Sequence, residues 1–258
     1  MWAALALLAA VSWDLRDTAG RRHSLEPDQR AVVLFFVAGD CPLSIRYGPE
    51  LRRLHADYAG REVAFFAVGG DARYPFPTLV DPEFVLAKQT GARVTPEAAV
   101  VSAAGEVLYR GRIDDRAEAF GRIRSEPRRR DLREALERIL AGKSPRRRVL
   151  PAIGCDLSLP RGEARSTATF SRDVAPLLDR HCAECHRPGE VGPFPLLSYD
   201  DAARRSGVIA AVTGGRVMPP WKPQPGHGKF QGERGLTAVE IATLREWAAG
   251  GAPEGNPA

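Results

Sequence analysis

Cys182 and Cys185 are separated by two residues and followed at once by His186. Two thiols and an imidazole at this spacing form the attachment signature of a c-type haem. Each thiol adds across a haem vinyl group to give a thioether, and the adjacent imidazole becomes an axial ligand of the iron. The short spacing lets both sulfurs reach one edge of the porphyrin while His186 turns under the metal. The plainer reading is a Cys-x-x-Cys redox or zinc pair that happens to precede a histidine. Zinc calls for two further ligands at matching spacing, and no second cysteine pair lies downstream. The expected cofactor is therefore one covalently bound haem c, with its iron.

The ligand opposite His186 follows by elimination. The chain has two methionines, and Met1 is terminal. Met218 lies in Arg216-Val217-Met218-Pro219-Pro220-Trp221, where prolines limit the freedom of the loop and help to hold a weak thioether on iron. The competing reading is a methionine that fills core space. His227, in a glycine- and proline-rich stretch, is the competing ligand. His181 is expected to pack or hydrogen-bond, and nothing in the spacing of His23 and His55 marks them as ligands. An iron held by His186 and Met218 has a raised reduction potential and no open position, which favours electron transfer over haem catalysis.

The other two cysteines are Cys41 and Cys155. Cys41 ends an apolar strand and opens a helix. At a helix N-terminus partial positive charge favours a thiolate. Three dispositions are open: a redox pair in which Cys41 attacks a substrate disulfide and Cys155 releases it, a structural disulfide, or two unpaired thiols. A bond between them would close a loop worth up to ~4.7 kcal/mol in the chain-entropy model.

Several elements must position these groups. Trp13 to Leu25 alternates around Gly20 and predicts a hairpin. Ala31 to Ala38 is a continuous apolar run of the kind buried on both faces of a sheet, and a helical pattern follows Pro42 as far as Gly60. With the apolar run Glu62 to Val68 this makes a βαβ unit. A short helix is expected from Asp81-Pro82 to near Gly91, then strands at Ala98 to Ser102 and Val107 to Arg112, and an amphipathic helix from Asp131 to Leu140. Beyond Thr167, Ser171 is expected to cap a helix that delivers Cys182. A helix from Tyr199 to Val212 and a last one opened by the capping box Thr237-x-x-Glu240 complete the pattern.

On the strand running into Cys41-Pro42-Leu43-Ser44, the segment Arg93-Val94-Thr95-Pro96 and the hairpin end Val107 to Asp115, the chain from about Trp13 to Cys155 resembles the thioredoxin-like redoxins, including the alkyl hydroperoxide reductase and thiol-specific antioxidant branch. The resemblance implies a cis Thr95-Pro96 bond lying against Cys41, and so a site of Cys41, Pro96 and Cys155. Three features depart from the family. Ser44 stands where thioredoxins have a second cysteine. Leu34 and Ala38 stand where peroxiredoxins carry proline and threonine, and the segment Gly69 to Pro75 is short. From about Thr167 to Pro253 the plan resembles a c-type cytochrome, in which a Met-Pro-Pro-Trp segment holds the distal methionine. The implied fold class is an α/β thioredoxin-like domain followed by a small all-α cytochrome c fold. The expected layout is a leader over residues 1–12, the redoxin domain over 13–155, a linker over 156–166 and the cytochrome domain over 167–258. The Gly-, Pro- and Arg-rich stretch from Ala141 to Arg165 shows no periodicity and reads as linker.

The formal charge of +5 belongs to the first part, since 10 basic and 10 acidic residues balance from Ser166 onward. Runs at Arg128–Arg130 and Arg146–Arg148 are interleaved with carboxylates and lack aromatic platforms, which argues against nucleic acid as a partner. Residues 1–12 are too short to span a bilayer and fit the apolar core of an export signal without its basic start; the alternatives are a true start upstream or a buried strand or helix at the N-terminus. Export to the periplasm or cell envelope is expected, with membrane association only through that leader. The expected partners are a redox protein or small-molecule electron donor or acceptor, and a protein thiol or disulfide. The leading functional reading is an oxidoreductase that joins haem electron transfer to thiol–disulfide chemistry at Cys41. The first alternative makes the redoxin domain a non-catalytic docking module; a thiol peroxidase ranks last.

Overall fold

The computed structural model describes residues 10–39, 41–69, 74–157, 166–221, 228, 230–231 and 234–257. The apolar run Met1 to Ala9, Asp40, residues 70–73 of the short segment, 158–165 and His227 lie outside the described residues. The chain forms two compact units, one of residues 1–116 with 124–157 and one of residues 117–123 with 158–258.

In the first unit β1 (Asp14–Arg16) and β2 (Arg22–Ser24) pair antiparallel as the expected hairpin. The Asp17 carboxylate accepts the Ala19 and Arg21 N–H groups across its turn. Strand β3 (Ala31–Phe36) is buried at every position, α1 (Pro42–Tyr58) returns the chain, and β4 (Val63–Val68) pairs parallel to β3. This is the βαβ unit that the two apolar runs predict. Strand β5 (Thr78–Leu79) adds parallel to β4. Helix α2 (Val85–Thr90) starts later than expected because Asp81 stays outside it, its carboxylate accepting the Val85 and Leu86 N–H groups. Gly91, at φ +76°, ends the helix.

Strand β6 (Val94–Thr95) leads through Pro96 into β7 (Glu97–Val101), which runs antiparallel to β3 and pairs with β8 (Val107–Gly111). The short hairpin β9 (Ala117–Ala119) and β10 (Arg122–Ile123) falls in the second unit. Helix α3 (Asp131–Leu140) has the expected ends and buries Leu132, Ala135, Leu136 and Leu140. The stretch from Ala141 is more than linker. Arg110 N–H donates to the Arg148 carbonyl at 2.7 Å, and Leu150 N–H donates back to Arg110 at 2.9 Å. Strand β11 (Cys155–Asp156) then pairs antiparallel with β6. The sheet order β5-β4-β3-β7-β8, with a helix crossing between parallel β3 and β4, is a thioredoxin-like α/β fold.

In the second unit a π-helical turn over Phe170–Val174 runs into α4 (Ala175–His181). Ser171 does not cap it: its hydroxyl donates to the Glu254 carbonyl, and Asp173 instead accepts the Thr169 N–H. The expected helix from Tyr199 to Val212 is two, α5 (Tyr199–Ala203) and α6 (Ser206–Gly214). The chain turns at Arg204-Arg205, where the Arg205 guanidinium lies 4.4 Å over the Phe194 ring. Helix α7 (Ala238–Ala249) opens with the predicted capping box. Val174, Leu178, Leu196, Ile209, Leu244 and Trp247 are central to the core of this unit. The fully buried Trp247 satisfies its indole N–H on the Pro253 carbonyl at 2.9 Å, as a buried donor must. No helix among the described residues is long and apolar enough to cross a membrane.

Candidate redox sites

In the first unit the chain brings Cys41, Pro96 and Cys155 together. Cys41 caps the N-terminus of α1 in an extended conformation, with Pro42 at the first helical position. Proline suits that place because its missing N–H would have no partner there. The Thr95-Pro96 peptide is cis, and the Thr95 carbonyl lies 3.0 Å from Cys41 Sγ. Cys41 and Cys155 form a disulfide with Cα atoms 6.1 Å apart, so this carbonyl can accept a hydrogen bond from the Cys41 thiol only in the reduced form. Cys155 reaches the site because β11 lies beside β6, Cys155 opposite Thr95 and Asp156 opposite Val94. Leu157 N–H extends the pairing to the Arg93 carbonyl at 2.8 Å. Gly154 is required just ahead, since a Cβ there would run into the Thr95 backbone.

Two residues that the sequence left without a role complete this geometry. Ser44 is 1% exposed, and its hydroxyl accepts the Ala38 N–H at 3.3 Å, tying the strand end to α1. Glu97 is 4% exposed; its Oε2 accepts the N–H groups of Arg93 at 2.8 Å and Val94 at 3.3 Å. It thereby holds the backbone just ahead of Pro96, with the Arg110 guanidinium 3.8 Å from its other oxygen. A lone carboxylate opening the apolar strand Glu97–Val101 is the sequence signal for that role.

In the second unit Cys182 is the C-cap of α4, and the turn continues through Cys185 N–H and His186 N–H, both donating to the Cys182 carbonyl. Both cysteines are free and half-buried. Burial, and then the neighbouring Cys185, push the Cys182 thiol up to about 11, so it is protonated at neutral pH. His186 is 3.0 Å from the Phe194 carbonyl through Nδ1. A carbonyl can only accept, so Nδ1 carries the proton and Nε2 keeps its lone pair for a metal. The loop is held against the motif by Gly192 N–H to the Cys185 carbonyl at 2.8 Å and Leu196 N–H to the His186 carbonyl at 2.9 Å. Among the described residues, no group of three or more His, Cys, Asp or Glu side chains is gathered to cage a metal ion.

Met218 is 38% exposed and lines a cavity of about 310 Å³ with Arg216, Pro219, Trp221, Leu236 and Ile241. Cys182, Cys185 and His186 do not line it among the described residues. The Met218-Pro219 peptide is cis. Among the described residues the remaining histidines are engaged elsewhere: His181 with Glu240 at 3.2 Å, His23 with Asp17 at 2.9 Å, and His55 against the rings of Phe65 and Phe76. Several of the basic side chains are paired with carboxylates, Arg129 with Asp131, Arg130 with Glu50 and Arg148 with Glu106.

No family model matches the chain, and no curated protein matches it. Among solved structures, a hypothetical protein from Sinorhizobium meliloti is 26% identical with a TM-score of 0.51, covering 59% of this chain and 93% of its own. An uncharacterized conserved protein from Geobacillus kaustophilus is 25% identical with a TM-score of 0.51, covering 59% of this chain and 91% of its own. The exposed lipoprotein thioredoxin of Streptococcus pneumoniae is 20% identical with a TM-score of 0.34, over 39% of this chain and 87% of its own.

Proposed function

We propose that the chain is an exported redox protein with two centres, a thiol–disulfide exchange site at Cys41 and Cys155 and a haem c electron carrier at Cys182, Cys185, His186 and Met218. The observation that carries the first centre is the Cys41–Cys155 disulfide seated at a helix N-terminus beside cis Pro96. The end of α1 stabilises negative charge on Cys41 sulfur, and its first turn holds no acidic residue to oppose this. Glu97 and Ser44 fix the backbone on either side of that sulfur. A dithiol partner would exchange with this bond through a mixed disulfide, leaving both cysteines reduced and itself oxidised to a disulfide. A threonine hydroxyl that would orient a peroxide is absent, since Ala38 stands at that position.

The second centre rests on the donor set, which fits a covalently attached haem. Two thiols that share no disulfide stand on one turn, ready for thioether attachment. His186 has its Nδ1 proton occupied by Phe194, so Nε2 is the nitrogen that would hold iron. Met218 would be the second residue to hold the iron, in the segment that Pro219 and Trp221 close. When bound, haem c supplies one-electron transfer at the iron. Thiol chemistry moves electrons in pairs, so each centre serves its own partner, a redox protein or small-molecule electron donor or acceptor at the haem and a protein thiol or disulfide at Cys41–Cys155. Both a disulfide and a covalent haem suit an oxidising compartment outside the cytoplasm, the periplasm or cell envelope.

The burial of Cys41, 1% exposed, favours a second reading in which the disulfide is structural and the first unit is a docking module. Equilibration of the full chain in glutathione redox buffers, with alkylation and mass spectrometry of the two cysteines, separates the readings. Reversible opening in the native protein supports exchange. A bond that opens only when the protein is denatured contradicts it.

A further inference from the structure

We propose that Cys155, and not Cys41, is the sulfur that partner thiols attack and that carries the mixed disulfide. The inference rests on the exchange reading and inverts the order expected from the sequence, in which Cys41 meets the substrate. Access decides it first. Cys41 is 1% exposed, its sulfur 3.0 Å from the carbonyl of buried Thr95, whereas Cys155 is half-buried on a two-residue strand that ends in exposed Asp156. Attack on a disulfide sulfur needs an approach in line with the bond being broken, and the sulfur that can be reached is the one attacked.

The helix behind Cys41 acts in the same direction. Exchange is faster when the departing thiolate is the more stable one. Cys41 sits at the N-terminus of the 17-residue helix α1, whose first turn has no acidic residue. Cys155 has no helix behind it and pairs with β6 instead. Attack at Cys155 therefore sends the departing charge to the sulfur at the helix N-terminus, which offsets part of the cost of its burial.

The step balances with a dithiol partner as reductant. One partner thiolate bonds to Cys155 Sγ as the Cys41–Cys155 bond breaks, and its electron pair leaves on Cys41 Sγ. The second partner thiolate attacks the partner's sulfur in the mixed disulfide and expels Cys155 as a thiolate. The two protons of the partner dithiol end on the protein thiols by way of solvent, so the partner is oxidised to its disulfide and the protein reduced. In the reverse direction Cys155 attacks a partner disulfide and Cys41 resolves it. Neither sulfur is a simple surface thiol, because the two begin bonded to each other.

The test uses the oxidised full chain, glutathione as monothiol, an alkylating trap for the freed sulfur and rapid acid quenching before peptide mass spectrometry. The expected result is glutathione on the Cys155 peptide and the alkyl group on Cys41, in roughly tenfold excess over the opposite pattern. Glutathione on Cys41 with alkylated Cys155 overturns the proposal while leaving the exchange reading in place. A bond untouched by glutathione and by a dithiol in the native protein, yet opened by a phosphine, overturns both.

Discussion

A methyl group added at Gly192 would come within 2.5 Å of the Cys185 carbonyl oxygen and 2.9 Å of His186 Nδ1. Gly192→Ala is therefore expected to displace the imidazole from the Phe194 carbonyl. In protein matured with haem, the measurement is the reduction potential and the visible spectrum; an unchanged potential and spectrum would remove Gly192 from any role in orienting His186. Met218→Ala should abolish the weak near-infrared sulfur-to-iron band, and a band that survives would assign the sixth ligand elsewhere. At this scale the sequence carried the identities but not the neighbours. Cys182, Cys185 and His186 announce themselves by adjacency, whereas the Phe194 carbonyl that fixes the tautomer is a backbone group eight residues on, and any residue type could supply it. Likewise Cys155 could be paired with Cys41 by counting cysteines, but its greater exposure depends on β11 folding back along β6.

Helix α7 shows how an element transmits such local rules. Thr237 accepts the Glu240 N–H while Glu240 accepts the Thr237 N–H at 2.8 Å. Burial raises the Glu240 carboxyl, but the hydrogen bonds from Thr237 and His181 outweigh it and hold the group below its ordinary value. A carboxyl lowered in the folded state stabilises above its unfolded pKa of roughly 4.3 and loses that contribution as pH falls through the folded value. Thr237→Ala is expected to cost about 1 kcal/mol at neutral pH, and less as acid protonates Glu240. Thermal melts of the second unit's helical signal from pH 7 to pH 3 check this; a cost independent of pH would detach Glu240 from the cap. Capping boxes and long apolar runs are local signals, so α7, α3, β3 and β4 could be read directly. The division of α5 from α6 could not, because it depends on Arg205 turning onto Phe194. Strand β11 is two residues long and has no periodicity to detect.

Each unit, taken by itself, carries one candidate centre. In the first, the disulfide spans a sequence separation of 114 residues, for which the chain-entropy model gives a ceiling of about 4.8 kcal/mol. Cys155→Ser should lower the unfolding free energy of that unit by about 2–4 kcal/mol, read from urea unfolding. A loss below about 0.5 kcal/mol would mean that the reduced chain stays equally constrained. In the second unit a buried core around Trp247 supports a turn bearing two free thiols and an oriented histidine. The two-centre account is tested most directly by intact mass and thiol counting on the full chain made in a host that matures cytochromes c. The predicted result is a denaturation-resistant mass of the chain plus one haem, with no thiol alkylated before reduction and two, Cys41 and Cys155, alkylated after it. A chain without haem mass that exposes four alkylatable thiols after reduction would contradict the account.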